Sequence, residues 1–141
     1  MSYTFTYTHR VRYRECDPMS VVYHTHYLDY FEAARTEALR TLGIRYRDLE
    51  ANGVIMPVVN VSVDYHSPAR YDDLLHIDAI FPEMPSVRVP IAYAVRRADA
   101  EATLVTGHTD LCFMDAERRR PIRIPNTVRT AFAEVMAAPQ A

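Results

Sequence analysis

Apolar and polar positions alternate along the first stretch of the chain. Tyr3, Phe5, Tyr7, Val11 and Tyr13 fall on one side, and Thr4, Thr6, Thr8, Arg10, Arg12 and Arg14 fall on the other. A period of two built from aromatics and threonines predicts a half-buried strand over residues 3–14. Pro18 interrupts it, because proline has no N–H for a sheet ladder and restricts the residue before it. The period then changes. Between Tyr23 and Leu42, the residues Tyr27, Phe31, Ala34, Ala38 and Leu42 share one stripe, with Leu28 and Leu39 beside it. This is helical spacing, and Gly43 is placed to stop the helix.

Beyond the charged piece RYRDLEANG, strand-like runs follow at Val54 to His66, Leu74 to Phe81, Val87 to Arg96 and Thr103 to Met114. Turn signals separate them at Ser67-Pro68, Pro82 to Pro85 and Ala98 to Ala100. A short C-terminal helix is expected at about residues 126–137, with Asn126 as its cap and Val128, Ala131, Phe132, Val135 and Met136 on one face. Strand, long helix, four strands and short helix imply an α+β fold, with an antiparallel sheet wrapped around or packed on the long helix. The small face Ala33, Ala34 and Ala38 suits a close approach. One sheet with one helix leaves edges to cover, so self-association is expected.

Composition narrows the function. A chain of 141 residues is read as a single domain, 1–141. No run approaches the roughly 20 apolar residues of a membrane span. The start MSYTFTYTHR has no apolar signal-peptide core, so a cytoplasmic location is expected, and two cysteines suggest reduced thiols. A net charge of -2 argues against a nucleic-acid partner. All 16 cationic side chains are Arg; without Lys there is neither a Walker A loop nor a Schiff-base lysine. Three glycines leave no room for a dinucleotide-binding fingerprint or a nucleophile elbow.

The candidate chemistry is concentrated in RECDPMSVVYHTHY, residues 14–27. Cys16 is read as a small packed thiol, since a catalytic one needs a lowered pKa that nothing nearby guarantees. His24 and His26 diverge at a helix start, and no third ligand stands nearby, so no metal site is expected. Asp17 is the candidate that matters. Asp-Pro favours a turn, in which a carboxylate often binds backbone two residues on. Yet this carboxylate also lies just before a long helix, whose start presents unpaired N–H groups and the positive end of the dipole. An acyl carbonyl placed between the two would meet a base or nucleophile on one side and an oxyanion site on the other.

With these residues, CDP followed by VVYH, then YLDYFEAARTEALRTLG and YHSPARYDDLLHIDA, the chain resembles the hot-dog-fold acyl-CoA thioesterases of the 4-hydroxybenzoyl-CoA thioesterase type, including the Tol-Pal-associated branch. The resemblance runs over about residues 8 to 115. It implies a long central helix wrapped by a five-stranded antiparallel sheet, and homodimers or homotetramers with active sites between subunits. The motif aspartate matches Asp17, acting as nucleophile or as general base. The backbone N–H of His24 would polarise the thioester carbonyl, and the side chains of Tyr23 and His24 would line or order the site. The implied reaction is hydrolysis of an acyl-CoA, or acyl-carrier-protein, thioester to free acid and thiol. No metal or redox cofactor is called for, coenzyme A being part of the substrate.

Residues expected to bind the substrate are Met56, Val58 and Asn60 of the strand after Val54, with Ser67 and, from the helix, Tyr27 and Phe31. Two departures stand out. Ser20 replaces the family's usual Gly, at a place where φ > 0 is disfavoured for Ser, so either a differently shaped loop or a role for the hydroxyl is expected. The turn that is often basic in the family is Pro85-Ser86 here. Phosphate contacts then fall to Arg88 or Arg70, or to Arg96 and Arg97. The rival reading is a non-catalytic hot-dog domain that binds acyl groups or a protein partner. A dehydratase of the same fold would place a catalytic His on the central helix, which Asp17 in the motif argues against.

Overall fold

The computed structural model of the chain describes residues 2–137; Met1 and residues 138–141, which the single-domain expectation includes, lie outside the described residues. Strand β1 (Tyr3–Arg10) leads through a single 3-10 turn (Tyr13–Glu15) to the long helix α1 (His26–Thr41) and a short helix α2 (Tyr46–Ala51). There follow β2 (Val54–Ile55), β3 (Val58–Tyr65), β4 (Leu74–Phe81), β5 (Arg88–Arg97), β6 (Thr103–Cys112), β7 (Met114–Asp115), β8 (Arg120–Pro121) and helix α3 (Asn126–Ala137). Five strands form one antiparallel sheet in the order β1-β4-β5-β6-β3, and β2, β7 and β8 make a small second sheet.

The sheet curls around α1 because one face of each inner strand is apolar. Leu75, Ile77, Ala79 and Phe81 of β4, with Val89, Ile91, Tyr93 and Val95 of β5, are buried and alternate with half-exposed neighbours. From α1, Tyr27, Tyr30, Phe31, Ala34, Ala38 and Leu39 join the same core. Ala34 and Ala38 carry the small face expected from the sequence, while Ala33 stays half-exposed. The closest approach is at Gly107 of β6, where an added Cβ would overlap the Phe31 ring. That ring is stacked on Tyr93 with centroids 4.3 Å apart and planes at 13°. Burying a ring of this size contributes about 2–3 kcal/mol.

Several boundaries differ from the periodicity, each for a local reason. β1 ends at Arg10 and not at Arg14. The N–H of Val11 still bonds to Asp73 C=O (2.9 Å), but that of Arg12 is taken by the Glu15 carboxylate (2.7 Å), which folds the chain into the turn and leaves Tyr13 exposed. α1 begins at His26, three residues after Tyr23, and α3 starts at Asn126 itself. The charged RYRDLEANG piece holds a helix because Leu49 is buried beneath it. Pro57 divides the predicted run from Val54 into β2, which pairs with β7, and β3.

β3 is an edge strand with apolar side chains on its surface: Val58, Val59 and Val61 are 45%, 45% and 43% exposed. No helix among the described residues is long and apolar enough to cross a membrane. One consequence concerns the helix–sheet contact. Because Tyr93 blocks any retreat of the Phe31 ring, Gly107→Ala is expected to cost about 1–3 kcal/mol in urea unfolding; a change below about 0.5 kcal/mol would mean that the ring yields.

Candidate active site

The site begins as a tight turn. Cys16 and Val22 form an isolated antiparallel bridge, the Asp17 N–H donates to Val21 C=O (2.9 Å), and the Ser20 N–H donates to Asp17 C=O (2.9 Å). Asp at the first position and Pro at the second are the residues such a turn favours, and the residue that closes it into a hairpin adopts left-handed backbone. Here that residue is Ser20, at φ 66°. Ser20 therefore takes up the conformation that the family's Gly would occupy freely, and the loop keeps its shape at the cost of strain.

Within this turn the Met19 N–H donates to Asp17 Oδ1 (2.9 Å), the local bond expected of an Asp-Pro turn. It occupies one oxygen. Asp17 Oδ2 has no hydrogen-bond partner among the described residues. The neighbouring Cys16 thiol is pushed up by burial and then by the carboxylates of Glu15, Asp17 and Asp73, so it stays protonated and suits packing, not attack.

The second half of the site is the approach to α1. The Val22 N–H donates to Ala69 C=O (2.9 Å), the Tyr23 N–H to Glu15 C=O (2.9 Å), and the His26 N–H to Tyr23 C=O (3.0 Å). The His24 N–H, between them, has no partner among the described residues. The His24 C=O accepts the Tyr65 hydroxyl (2.9 Å), which ties the end of β3 to the start of α1. The His24 ring leans on Tyr23 (4.4 Å) and stands edge-on to Tyr65 (6.3 Å). A free N–H at this end of a 16-residue helix is a donor reinforced by the helix dipole.

The two halves meet in a cleft of about 280 Å³. Asp17 and Met19 come from the turn, Val21, Val22, His24 and Tyr27 from the approach and first turn of α1, and Tyr65, His66, Ser67 and Pro68 from the end of β3 and its loop. Tyr27 accepts the Ala69 N–H (3.2 Å), and burial raises its phenol, so it remains neutral. The lining is mostly apolar with few polar groups, as small-molecule sites are.

Of the residues expected from the sequence, the structure thus brings together Asp17, His24, Ser67 and Tyr27. Tyr23 lies outside the cleft, against the His24 ring. Met56 lines a separate hollow of about 70 Å³ with Tyr46 and Leu49. Val58 and Phe31 line another of about 150 Å³ with Leu28 and Arg35. Asn60 is exposed on the β3 edge, Arg88 is exposed at the start of β5, and Arg70 is exposed with its N–H on Asp73 Oδ2 (2.9 Å). Arg96 and Arg97 are already committed, Arg96 to Asp78 (2.5 Å) and Arg97 to Asp73 (3.0 Å).

His26 pairs with Asp29 (3.2 Å), and no group of three or more His, Cys, Asp or Glu among the described residues is placed to hold a metal ion. The sequence reading missed Tyr65 and His66. Tyr65 continues the odd-numbered row of Val61 and Val63 along β3, a signal that could have placed it on the cleft side. Also missed were Arg123 and Arg129, which flank the non-basic Pro85-Ser86 turn around a hollow of about 630 Å³.

Comparison with known proteins shows the family and the fold. The family model of the thioesterase-like superfamily matches residues 11–132. An acyl-CoA thioester hydrolase of Escherichia coli is 33% identical over 132 residues, 92% of this chain and 96% of that protein. A putative acyl-CoA thioesterase of Bacillus subtilis is 30% identical over 124 residues, 88% of this chain and 86% of that one. Among solved structures, a DHNA-CoA thioesterase from Staphylococcus aureus superposes with a TM-score of 0.87 at 28% identity, covering 95% of this chain and 91% of that one. The fold is the hot-dog arrangement that the sequence resemblance implied.

The strain at Ser20 is measurable. Replacing it with Gly relieves the left-handed backbone but adds freedom to the unfolded chain, so Ser20→Gly is expected to gain about 0.5–1 kcal/mol in chemical denaturation. A loss of stability would mean that the added freedom of the unfolded chain outweighs the strain.

Proposed function

Since the chain belongs to the thioesterase-like superfamily, we propose that it hydrolyses the thioester of an acyl-CoA to the free acid and coenzyme A, with Asp17 and the His24 N–H acting on the carbonyl from opposite sides. One observation carries this reading: Asp17, with an oxygen that has no partner among the described residues, and His24, whose N–H has none either, both line the same cleft. The N–H donates to the carbonyl oxygen and stabilises the charge that develops there, an effect typically worth about 3 kcal/mol per donor. Asp17 acts in one of two ways that use the same geometry. As general base it takes a proton from water, whose oxygen attacks the carbonyl carbon. As nucleophile it attacks directly, forming a mixed anhydride that water then opens. Either way the C–S bond breaks, the sulfur leaves as thiolate and takes up a proton, and the acid is released. The reading calls for no metal or redox cofactor.

A cleft of about 280 Å³, open on one side, is far smaller than an acyl-CoA. The exposed apolar edge of β3 ends at Tyr65, in the cleft wall. A β3 strand from a second copy added to this edge would cover the valines and finish beside the cleft, so the working form is a homodimer, or a pair of dimers, with sites between subunits. The non-catalytic reading rests on Ser20, which keeps the left-handed turn, and on the missing basic turn at Pro85-Ser86; it predicts no turnover of any thioester.

Two experiments test the proposal. Free-thiol release is measured over aromatic and graded aliphatic acyl-CoAs, with an acyl-carrier-protein thioester alongside; at least one substrate is turned over, and Asp17→Asn lowers kcat by about 10²–10⁴-fold. Full activity in the Asn variant, or no turnover of any thioester, ends the reading. Light scattering after size exclusion finds at least a dimer for the native chain, and Val61→Lys shifts it to monomer with loss of turnover. A native monomer with full activity contradicts the shared site.

A further inference from the structure

Glu15 is the second carboxylate of the RECDP stretch, and the chemistry above leaves it without a task. It is 7% exposed, and one oxygen, Oε1, gathers three partners: the Arg12 N–H (2.7 Å), His9 Nε2 (2.9 Å) and the Tyr30 hydroxyl (3.0 Å). Its backbone C=O accepts a fourth, the Tyr23 N–H (2.9 Å). These partners come from four different segments: β1, the turn after it, the second turn of α1 and the approach to α1. The rings of His9 and Tyr30 pack on each other with centroids 4.6 Å apart.

A buried carboxylate is costly unless its bonds are met, and exchanging such a network for apolar side chains is often neutral for stability. What an apolar replacement would not supply is direction. Asp17 follows Glu15 by two residues, and His24 follows directly after Tyr23, so Glu15 stands at the root of both arms of the cleft. Burial works to raise its carboxyl, but the Arg12 N–H, the His9 ring and the Tyr30 hydroxyl outweigh burial and hold it below the ordinary value. The group is therefore ionised and held from several sides at neutral pH.

We propose that Glu15 is a positioning residue: its buried carboxylate clasps β1 and α1 together while its backbone holds Tyr23, fixing the Asp17 turn and the His24 N–H in one relation across the cleft. This role rests on the thioesterase reading for its effect on rate, but the clasp itself is a statement about the resting protein. A misplacement of about 1 Å at a reacting group costs up to about 100-fold in rate, so loss of the clasp is read in turnover before it is read in binding.

The test uses Glu15→Gln, which keeps size but removes the charge, and Tyr30→Phe, which removes one donor. Glu15→Gln is expected to lower kcat by about 10- to 100-fold with KM within about two-fold of the native value, and Tyr30→Phe to lower it by a smaller factor. Independently of activity, amide exchange over residues 16–24 rises by about tenfold or more in Glu15→Gln while that of β4, β5 and β6 stays native. The proposal is overturned by a Glu15→Gln enzyme with native kcat, by kcat and KM changing in parallel, or by unchanged exchange over residues 16–24. If Glu15→Gln does not fold, Tyr30→Phe is judged on the same two readouts. If the native chain releases no thiol, the thioesterase reading fails, and the exchange measurement alone decides the clasp.

Discussion

The Phe31 ring stacks on Tyr93 and sets its edge over Gly107, the residue paired with Tyr93 across β5 and β6, and this contact sets how close α1 comes to the sheet. A ring stacked at 4.3 Å on a buried tyrosine, with its edge over a residue without a Cβ, leaves α1 little freedom to rise or turn. Phe31 stands five residues after His26, so the position of the helix start follows from it. Tyr27, one turn before Phe31, meets Ala69, and Tyr65 reaches the His24 C=O from the end of β3. The cleft is thus held by the same packing that closes the sheet around the helix, which is how a site in a small fold gains rigidity without a large supporting shell.

Against that fixed helix end, the Asp17 turn is the strained and polar component. Its left-handed Ser20, its local Met19 N–H bond and its bridge from Cys16 to Val22 hold the Asp17 carboxylate in a cleft that His24 also lines. Strain of this kind persists where the surroundings over-determine the backbone, and here they do: the Asp17, Ser20, Val22 and Tyr23 N–H groups are each bonded to a different carbonyl. Asp17 Oδ2 and the His24 N–H are among the groups without a partner among the described residues, and the proposed chemistry uses those two. Cys16 and the ring of His26, which sequence alone could have promoted, are accounted for by a raised thiol pKa and by a hydrogen bond with Asp29.

Much of this was legible in the sequence. Period-two and helical spacing located the five main strands, the long helix and the C-terminal helix, because each buries one regular face. The Asp-Pro turn and the small face of α1 were also readable, since they depend on local chemistry. What periodicity missed was decided by single long-range bonds. The Glu15 carboxylate ended β1 early by taking the Arg12 N–H, and Pro57 moved Val54 and Ile55 onto a second small sheet. The site was legible in part for the same reason. Asp17 and His24 lie close in sequence, and both line the cleft. Tyr65 reaches the cleft only through sheet register, and Met56, Val58 and Asn60, chosen as pocket residues, lie elsewhere in the single chain. Arg96 and Arg97 look free in sequence but are paired with Asp78 of β4 and with Asp73, which precedes that strand.

The central claim is that one thioester carbonyl sits between the carboxylate of Asp17 and the backbone N–H of His24. The most direct measurement is a crystal structure of the Asp17→Asn protein with an unhydrolysed acyl-CoA bound. The account predicts the carbonyl oxygen at about 2.7–3.1 Å from the His24 nitrogen, with the carbonyl carbon facing the side chain at position 17. A thioester bound with its carbonyl turned away from His24, or lodged outside this cleft, would contradict it.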